Sequence, residues 1–306
     1  MSEQPLNTLT PTLSQRERGE FPCLPSTALS SMSLGKLIGV SLGPGEPGLI
    51  TRAAWAQLQR SDAVWTYPAR SGKTPSYALD IVLRAELPLP DTHTVLMFPM
   101  THDGEKLARA WLKAADTVLP WLLAGRDVLF LVEGDASTYA TFGHLARTVC
   151  GLDARVQVQT IAGVNSFTAA CATRNLPFSE QDDTVAIVPA AYGVAAVDRL
   201  LADFDTLVLM KVKPLLDELI VWLQTRDLLA ETLFIERVGA PDERTFAGAD
   251  LLALLGTKVS YLSLLIVKNP HRVRGERIKG CLKKTVPVGR LPVSDALAVQ
   301  DEAEQA

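Results

Sequence analysis

VSLGPGEPGLIT, residues 40–51, joins a β-branched run to a glycine-rich loop, and its reading decides the fold. Gly43, Gly45 and Gly48 spell G-x-G-x-x-G, the spacing that elsewhere sets a dinucleotide's pyrophosphate on a helix N-terminus. A phosphate cradle works because successive backbone N–H groups point at the anion, and Pro44 and Pro47 have none to offer. Glu46 adds a carboxylate to the loop. The acid expected at the end of a second strand roughly 20 residues on is also missing, because Asp62 comes before that strand rather than after it. A strand-to-helix junction fits these residues better than a phosphate site does.

Outward from that junction, short β-branched runs alternate with longer amphipathic ones. Strands are expected at 37–42, 63–67, 94–98, 127–133 and 155–161, and a second series at TVAIVPA, TLVLMKV, LFIERV and VSYLSLLIV. Pro47, at a first helical position, leads GLITRAAWAQLQR, while DGEKLARAWLKAADTVLPWLL and PLLDELIVWLQT fill later gaps. The alternation predicts an α/β protein of two α/β domains with mainly parallel sheets, 34–162 and 163–292, joined near IAGVNSF. Residues 1–31, rich in Ser, Thr, Pro and Gln, read as a disordered extension, with Met32 as the expected true start. Residues 293–306 read as a flexible tail.

Composition narrows the classes. The chain has 306 residues, 47% hydrophobic and 21% charged, with a net charge of −4, which argues against bulk capture of nucleic acid. No apolar run suggests a membrane span and no secretory signal is visible, so a cytoplasmic protein is expected. Cys23, Cys150, Cys171 and Cys281 form no C-x-x-C pair, and His93, His102, His144 and His271 are dispersed. No disulfide framework and no metal site are expected.

In open α/β sheets ligands bind beyond the carboxyl ends of the strands. Four polar or glycine-rich junctions fall there: GPGEPG, EGDASTY, AGVNS and MKVKP. Together they describe a cleft for a small molecule, with hydroxyls and an amide at Ser137, Thr138, Asn165 and Ser166.

LGPGEPGLIT, VEGDASTYATF, AGVNSFTAACA and LVLMKV, in this order, resemble the four signatures of the S-adenosylmethionine-dependent tetrapyrrole methylases. Within that family YPARSGKTPSYA, FPMTHD and YLSLLIVKN look most like the members that methylate the C(20) meso carbon of precorrin-2 in cobalamin biosynthesis. The resemblance runs from about Gly35 to Pro292. It departs at Glu46, where the family usually has Asp, at Ala136, where it has Pro, and at Asn165 within the junction 162–166.

The resemblance implies two α/β domains with S-adenosyl-L-methionine in the cleft between them, and a homodimer. It places Pro44, Glu133, Gly134, Asp135 and Thr138 around the cofactor, completed by Asn165, Ser166, Met210, Lys211 and Val238. A cofactor without phosphate and with a cationic sulfur is compatible with an acidic, proline-containing loop. Gly43, Gly45, Arg70 and Lys73 are assigned to the tetrapyrrole, whose carboxylates call for basic partners. Tyr67, at a strand end facing the cleft, is the candidate to orient the macrocycle or relay the proton leaving C(20), a packing tyrosine being the alternative. The basic run 268–284 lacks interleaved aromatics and reads as a solvated face or dimer edge, not a nucleic-acid surface. Methylation at another ring position, a non-catalytic carrier and a nucleotide-binding oxidoreductase remain the competing readings.

Overall fold

The computed structural model describes residues 33–101 and 103–274. The extension 1–31 with the start at Met32, the tail 293–306, most of the basic run 268–284, and Cys23, Cys281 and His102 lie outside the described residues. Both sheets belong to one compact unit that ends at Pro270.

The first sheet has five parallel strands in the order β3-β2-β4-β1-β5: β1 Lys36–Ser41, β2 Val64–Ala69, β3 His93–Met97, β4 Val128–Val132 and β5 Gln157–Ile161. The central strand β4 is an unbroken apolar run, and its neighbour β1 is buried throughout after Lys36, because helices cover both their faces. On one face α3 (Gly104–Leu123) and α4 (Phe142–Leu152) pack over Leu37, Val128 and Phe130. On the other, α1 (Arg52–Leu58) and α2 (Tyr77–Arg84) cover Ile38, Val40, Trp65 and Leu129. Pro47 does start a helical turn, a short 3-10 one over Pro47–Leu49. Extended backbone at Ile50 and Thr51 then breaks it, and the Thr51 side chain caps a separate α1 by accepting from Ala54 N–H at 3.2 Å.

The second sheet follows in the order β6-β7-β10-β8-β9, with β6 Val185–Pro189, β7 Thr206–Met210, β8 Thr232–Glu236, β9 Arg244–Ala247 and β10 Ser263–Lys268. It departs from the mainly parallel expectation: only β6 and β7 run parallel, and β10 pairs antiparallel with both β7 and β8. A parallel neighbour needs a crossover of a dozen or more residues. The chain instead turns within 237–243 into β9, a strand the sequence reading omitted, and returns through a 3-10 helix over Gly248–Leu254. Helix α5 (Ser166–Thr173) packs on Val208, Ile235 and Ile266; α6 (Val194–Asp198) and α7 (Leu216–Thr225) cover the opposite face at Leu207, Leu209 and Phe234.

Candidate active site

In the first sheet β1, β4 and β5 end along one edge, leading into Gly43, Glu133 and Ala162. At the second sheet's facing edge lie the ends of β7 and β8 and, because β10 is antiparallel, its beginning; Leu264 sits opposite Met210 and Ser263 opposite Glu236.

The glycines of the opening loop serve the backbone. Gly43 and Gly134 both have φ +75° and exchange hydrogen bonds as an isolated antiparallel bridge, 3.2 Å from Gly43 N–H and 2.7 Å from Gly134 N–H. A Cβ on Gly45 would lie 2.2 Å from the Val238 carbonyl oxygen, and one on Gly239 would lie 2.4 Å from the Glu46 nitrogen. Loop 43–48 is thus pressed backbone to backbone against loop 238–240. The Arg84 guanidinium donates to the Gly45 carbonyl and pairs with Asp80 at 2.9 Å, so α2 anchors the same loop.

Asp135 ties its own loop to the junction at Gly163. Its Oδ2 accepts from Gly163 N–H at 2.7 Å, and its Oδ1 accepts from Ser137 N–H at 2.9 Å, from the Ser137 hydroxyl and from Thr138 Oγ1 at 3.3 Å. Burial alone would raise this carboxyl, but the donors outweigh it and hold it below the usual carboxylate range. Ser41, fully buried at the end of β1, donates to the Ile161 carbonyl and accepts from Ala136 N–H at 2.8 Å.

All ten residues assigned to the cofactor line one cavity of about 160 Å³: Pro44, Glu133, Gly134, Asp135 and Thr138 from the first sheet's loops, with Asn165, Ser166, Met210, Lys211 and Val238 beyond the junction. Asn165 stands at the N-cap of α5 yet makes no capping bond with its side chain. Gly134 opens onto free space. Beside this cavity lies a larger one of about 520 Å³, walled by Arg70, Tyr77, Phe98, Met100, Trp111 and His144 among others. Glu133, Tyr139, Lys211 and Tyr261 line both. Arg70 lies 4.5 Å over the Tyr261 ring and 5.3 Å over Tyr77, and Arg237 lies 5.0 Å over Tyr77. Three lining residues, Tyr139, Lys211 and Arg237, hold left-handed backbones at φ +51°, +57° and +56°, strain of the kind that gathers at ligand sites.

Four assigned residues are not brought to either cavity. Tyr67 lies within β2 rather than at a strand end facing the cleft; it packs in the core with Val40 and Leu131, and its hydroxyl bonds His93 Nδ1 at 3.1 Å. Burial pushes its phenol up, and it lines neither cavity. Gly43 and Gly45 line neither cavity, since their backbones are engaged as described. Lys73 is exposed on the turn after Arg70, its N–H donating to the Ser71 hydroxyl at 3.3 Å, and it lines neither cavity; Arg70 alone of the four substrate residues lines the larger one.

The sequence reading missed Tyr139, Arg237 and Tyr261–Leu264. Tyr139 was legible in EGDASTY. Tyr261–Leu264 were not, because a rule about strand ends looks at the wrong end of an antiparallel strand. Among the described residues no three of His, Cys, Asp and Glu gather as a metal would require, and no helix is long and apolar enough to cross a membrane.

Two sheets that bring their loops around adjoining cavities define an α/β protein built to hold two small molecules side by side. A family model, Tetrapyrrole (Corrin/Porphyrin) Methylases, matches residues 36–249, and the chain belongs to that family. It is similar to the precorrin-2 C(20)-methyltransferase of Sinorhizobium sp, 28% identical over 252 residues that cover 78% of this chain and 97% of that one. It is also similar to the cobalt-precorrin-2 C(20)-methyltransferase of Salmonella typhimurium, 30% identical over 210 residues, 69% of this chain and 86% of that one. Among solved structures, uroporphyrin-III C-methyl transferase from Thermus thermophilus complexed with S-adenyl homocysteine aligns with a TM-score of 0.52 at 22% identity, over 76% of this chain and 97% of that one. At that identity the likeness is one of fold.

Proposed function

We propose that this chain is an S-adenosylmethionine-dependent C-methyltransferase that methylates the C(20) meso carbon of precorrin-2, or of its cobalt chelate, giving precorrin-3A and S-adenosylhomocysteine in cobalamin biosynthesis. The observation that carries the reading is the meeting of loops from both sheets around one cavity that shares four wall residues with a larger one. The smaller cavity suits the cofactor. Gly134 leaves space, the Asn165 amide is not spent on its helix, and Lys211 offers charge to an amino-acid carboxylate beside Arg237, whose Nε is paired with Asp242 at 2.6 Å. When bound, the cofactor supplies an electrophilic methyl on a sulfonium.

The larger cavity suits the tetrapyrrole. Phe98, Met100 and Trp111 present apolar surface to a macrocycle, and Arg70 makes no hydrogen bond or ion pair among the described residues, leaving its donors for a substrate carboxylate. Walls that hold two reactants in near-attack geometry can supply roughly 7–11 kcal/mol of the barrier. We further propose the division 34–162 and 163–292, a homodimer and a cytoplasmic location. The separate cores of the two sheets support the division, and exposed Val95 and Met97 on the edge strand β3 are compatible with self-association.

Incubation of the purified full chain with S-adenosylmethionine and either metal-free or cobalt-containing precorrin-2, followed by mass spectrometry and NMR mapping, tests the activity. One added methyl at C(20) is expected. Methylation at a different ring position would replace the regiochemistry, and no transfer to either form would reject the function.

A further inference from the structure

Glu133 follows β4, the middle strand of the first sheet, and is one of four residues common to both cavities. Replacing the hydrogen of a meso carbon by methyl has two parts. The π electrons of the macrocycle form the C–C bond as the S–CH3 bond breaks and its electrons return to sulfur; the C–H electrons then restore the π system and the proton leaves. A proton acceptor is needed where the two reactants meet.

Of the shared wall residues, Lys211 carries an ammonium without an acceptor site, and Tyr139 and Tyr261 are phenols rather than carboxylates. Burial pushes the Tyr261 phenol up. His144 lines only the larger cavity, stacked on Trp111 with ring centroids 4.3 Å apart, and its Nδ1 is taken by Arg147 at 2.9 Å. Glu133 alone brings a carboxylate to the boundary, and it makes no hydrogen bond or ion pair among the described residues.

We infer that Glu133 is a catalytic residue, the base that receives the C(20) proton, rather than a group that merely holds the cofactor. The inference rests on the C(20) methyltransferase reading above. The charged and titratable groups around it are Arg70 after β2, Tyr77 on α2, Asp135 and Tyr139 after β4, His144 on α4, Lys211 after β7, Arg237 after β8 and Tyr261 before β10. Burial pushes the Glu133 carboxyl up, while the charges of Arg70 and Arg237 oppose this. A carboxyl drawn toward the working pH is the more effective base. A bound sulfonium favours its ionised form; transfer then neutralises the sulfur, and the proton neutralises the carboxylate.

The test compares the full-length wild type with Glu133→Gln and Glu133→Asp in single turnovers on precorrin-2 carrying hydrogen or deuterium at C(20), alongside calorimetric titration with S-adenosylhomocysteine. E133Q is expected to be slower by roughly 100-fold or more, to bind S-adenosylhomocysteine nearly as well as wild type, and to show a primary isotope effect exceeding the wild type's. E133D should recover part of the rate, and the acidic limb of the wild-type pH–rate profile should vanish in E133Q. Near-wild-type turnover by E133Q overturns the assignment, as does a rate loss matched by equal loss of S-adenosylhomocysteine affinity with no isotope effect. Should E133Q fail to fold, E133D decides: an unshifted acidic limb with unchanged rate overturns the role. If the wild type itself transfers no methyl, the functional reading fails first and this inference falls with it.

Discussion

Asp135 takes donors from its own loop and from the junction at Gly163, so one carboxylate fixes the cavity floor to the segment that leads into α5. Hydrogen bonds to a charged acceptor contribute about 1.5–3 kcal/mol, and Asp135→Asn, which turns one acceptor into a donor facing an N–H, is expected to lose about that much in urea unfolding. The folded carboxyl titrates below its usual range, so its stabilisation is complete above the unfolded value near ~3.9 and is lost as pH falls through the lower folded value. Wild type and D135N should therefore converge in stability as acid is added, and a constant gap would contradict the network. Glu133 has the opposite sign. Its raised carboxyl destabilises the fold when ionised, so E133Q should melt higher than wild type at neutral pH. Tyr67→Phe removes one bond to His93 and is expected to cost about 0.5–1.5 kcal/mol while leaving single-turnover methylation unchanged. The ten residues assigned to the cofactor came from the family resemblance, which the distinctive loops made legible, and the fold gathers all ten around one cavity. The position of Tyr67 was not legible, since a strand pattern alone does not say how far the strand extends past a residue.

At the scale of elements, the close approach of loop 43–48 to loop 238–240 explains the glycine spacing that first suggested a dinucleotide. At Gly45 the obstacle is backbone, the Val238 carbonyl, which cannot swing aside as a side chain could. Gly45→Ala should cost about 1–3 kcal/mol, toward the upper end, and weaken S-adenosylhomocysteine binding by displacing Pro44 and Val238. Thermal unfolding and calorimetry check both effects, and an alanine tolerated in each would refute the packing role. Gly134 is a poorer probe: its neighbourhood is open, but at φ +75° any side chain strains the backbone whatever the cavity holds. The same scale holds the main departure from expectation. Apolar runs of β10 read equally well as parallel or antiparallel, and direction was decided by the short turn into β9, which the pattern of alternating strands and helices concealed.

For the whole molecule, a ligand gripped by both sheets stabilises each against the other. A compound that binds only the folded state raises stability by about 2.7 kcal/mol at a hundred times its Kd. S-adenosylhomocysteine is expected to raise the melting temperature in proportion to the logarithm of its concentration, and NAD is expected to leave it unchanged. A saturable shift with NAD instead would revive the nucleotide reading of Gly43, Gly45 and Gly48. The sequence by itself determined the α/β class, the positions of most strands and the family, because hydrophobic period and loop composition are local properties carried along the chain. Only the tertiary structure decided that the second sheet is mainly antiparallel, that Tyr67 is core, and that Tyr261 and Glu133 stand where two cavities meet. Strand direction and wall residues depend on contacts between segments far apart in the chain, which no local pattern records.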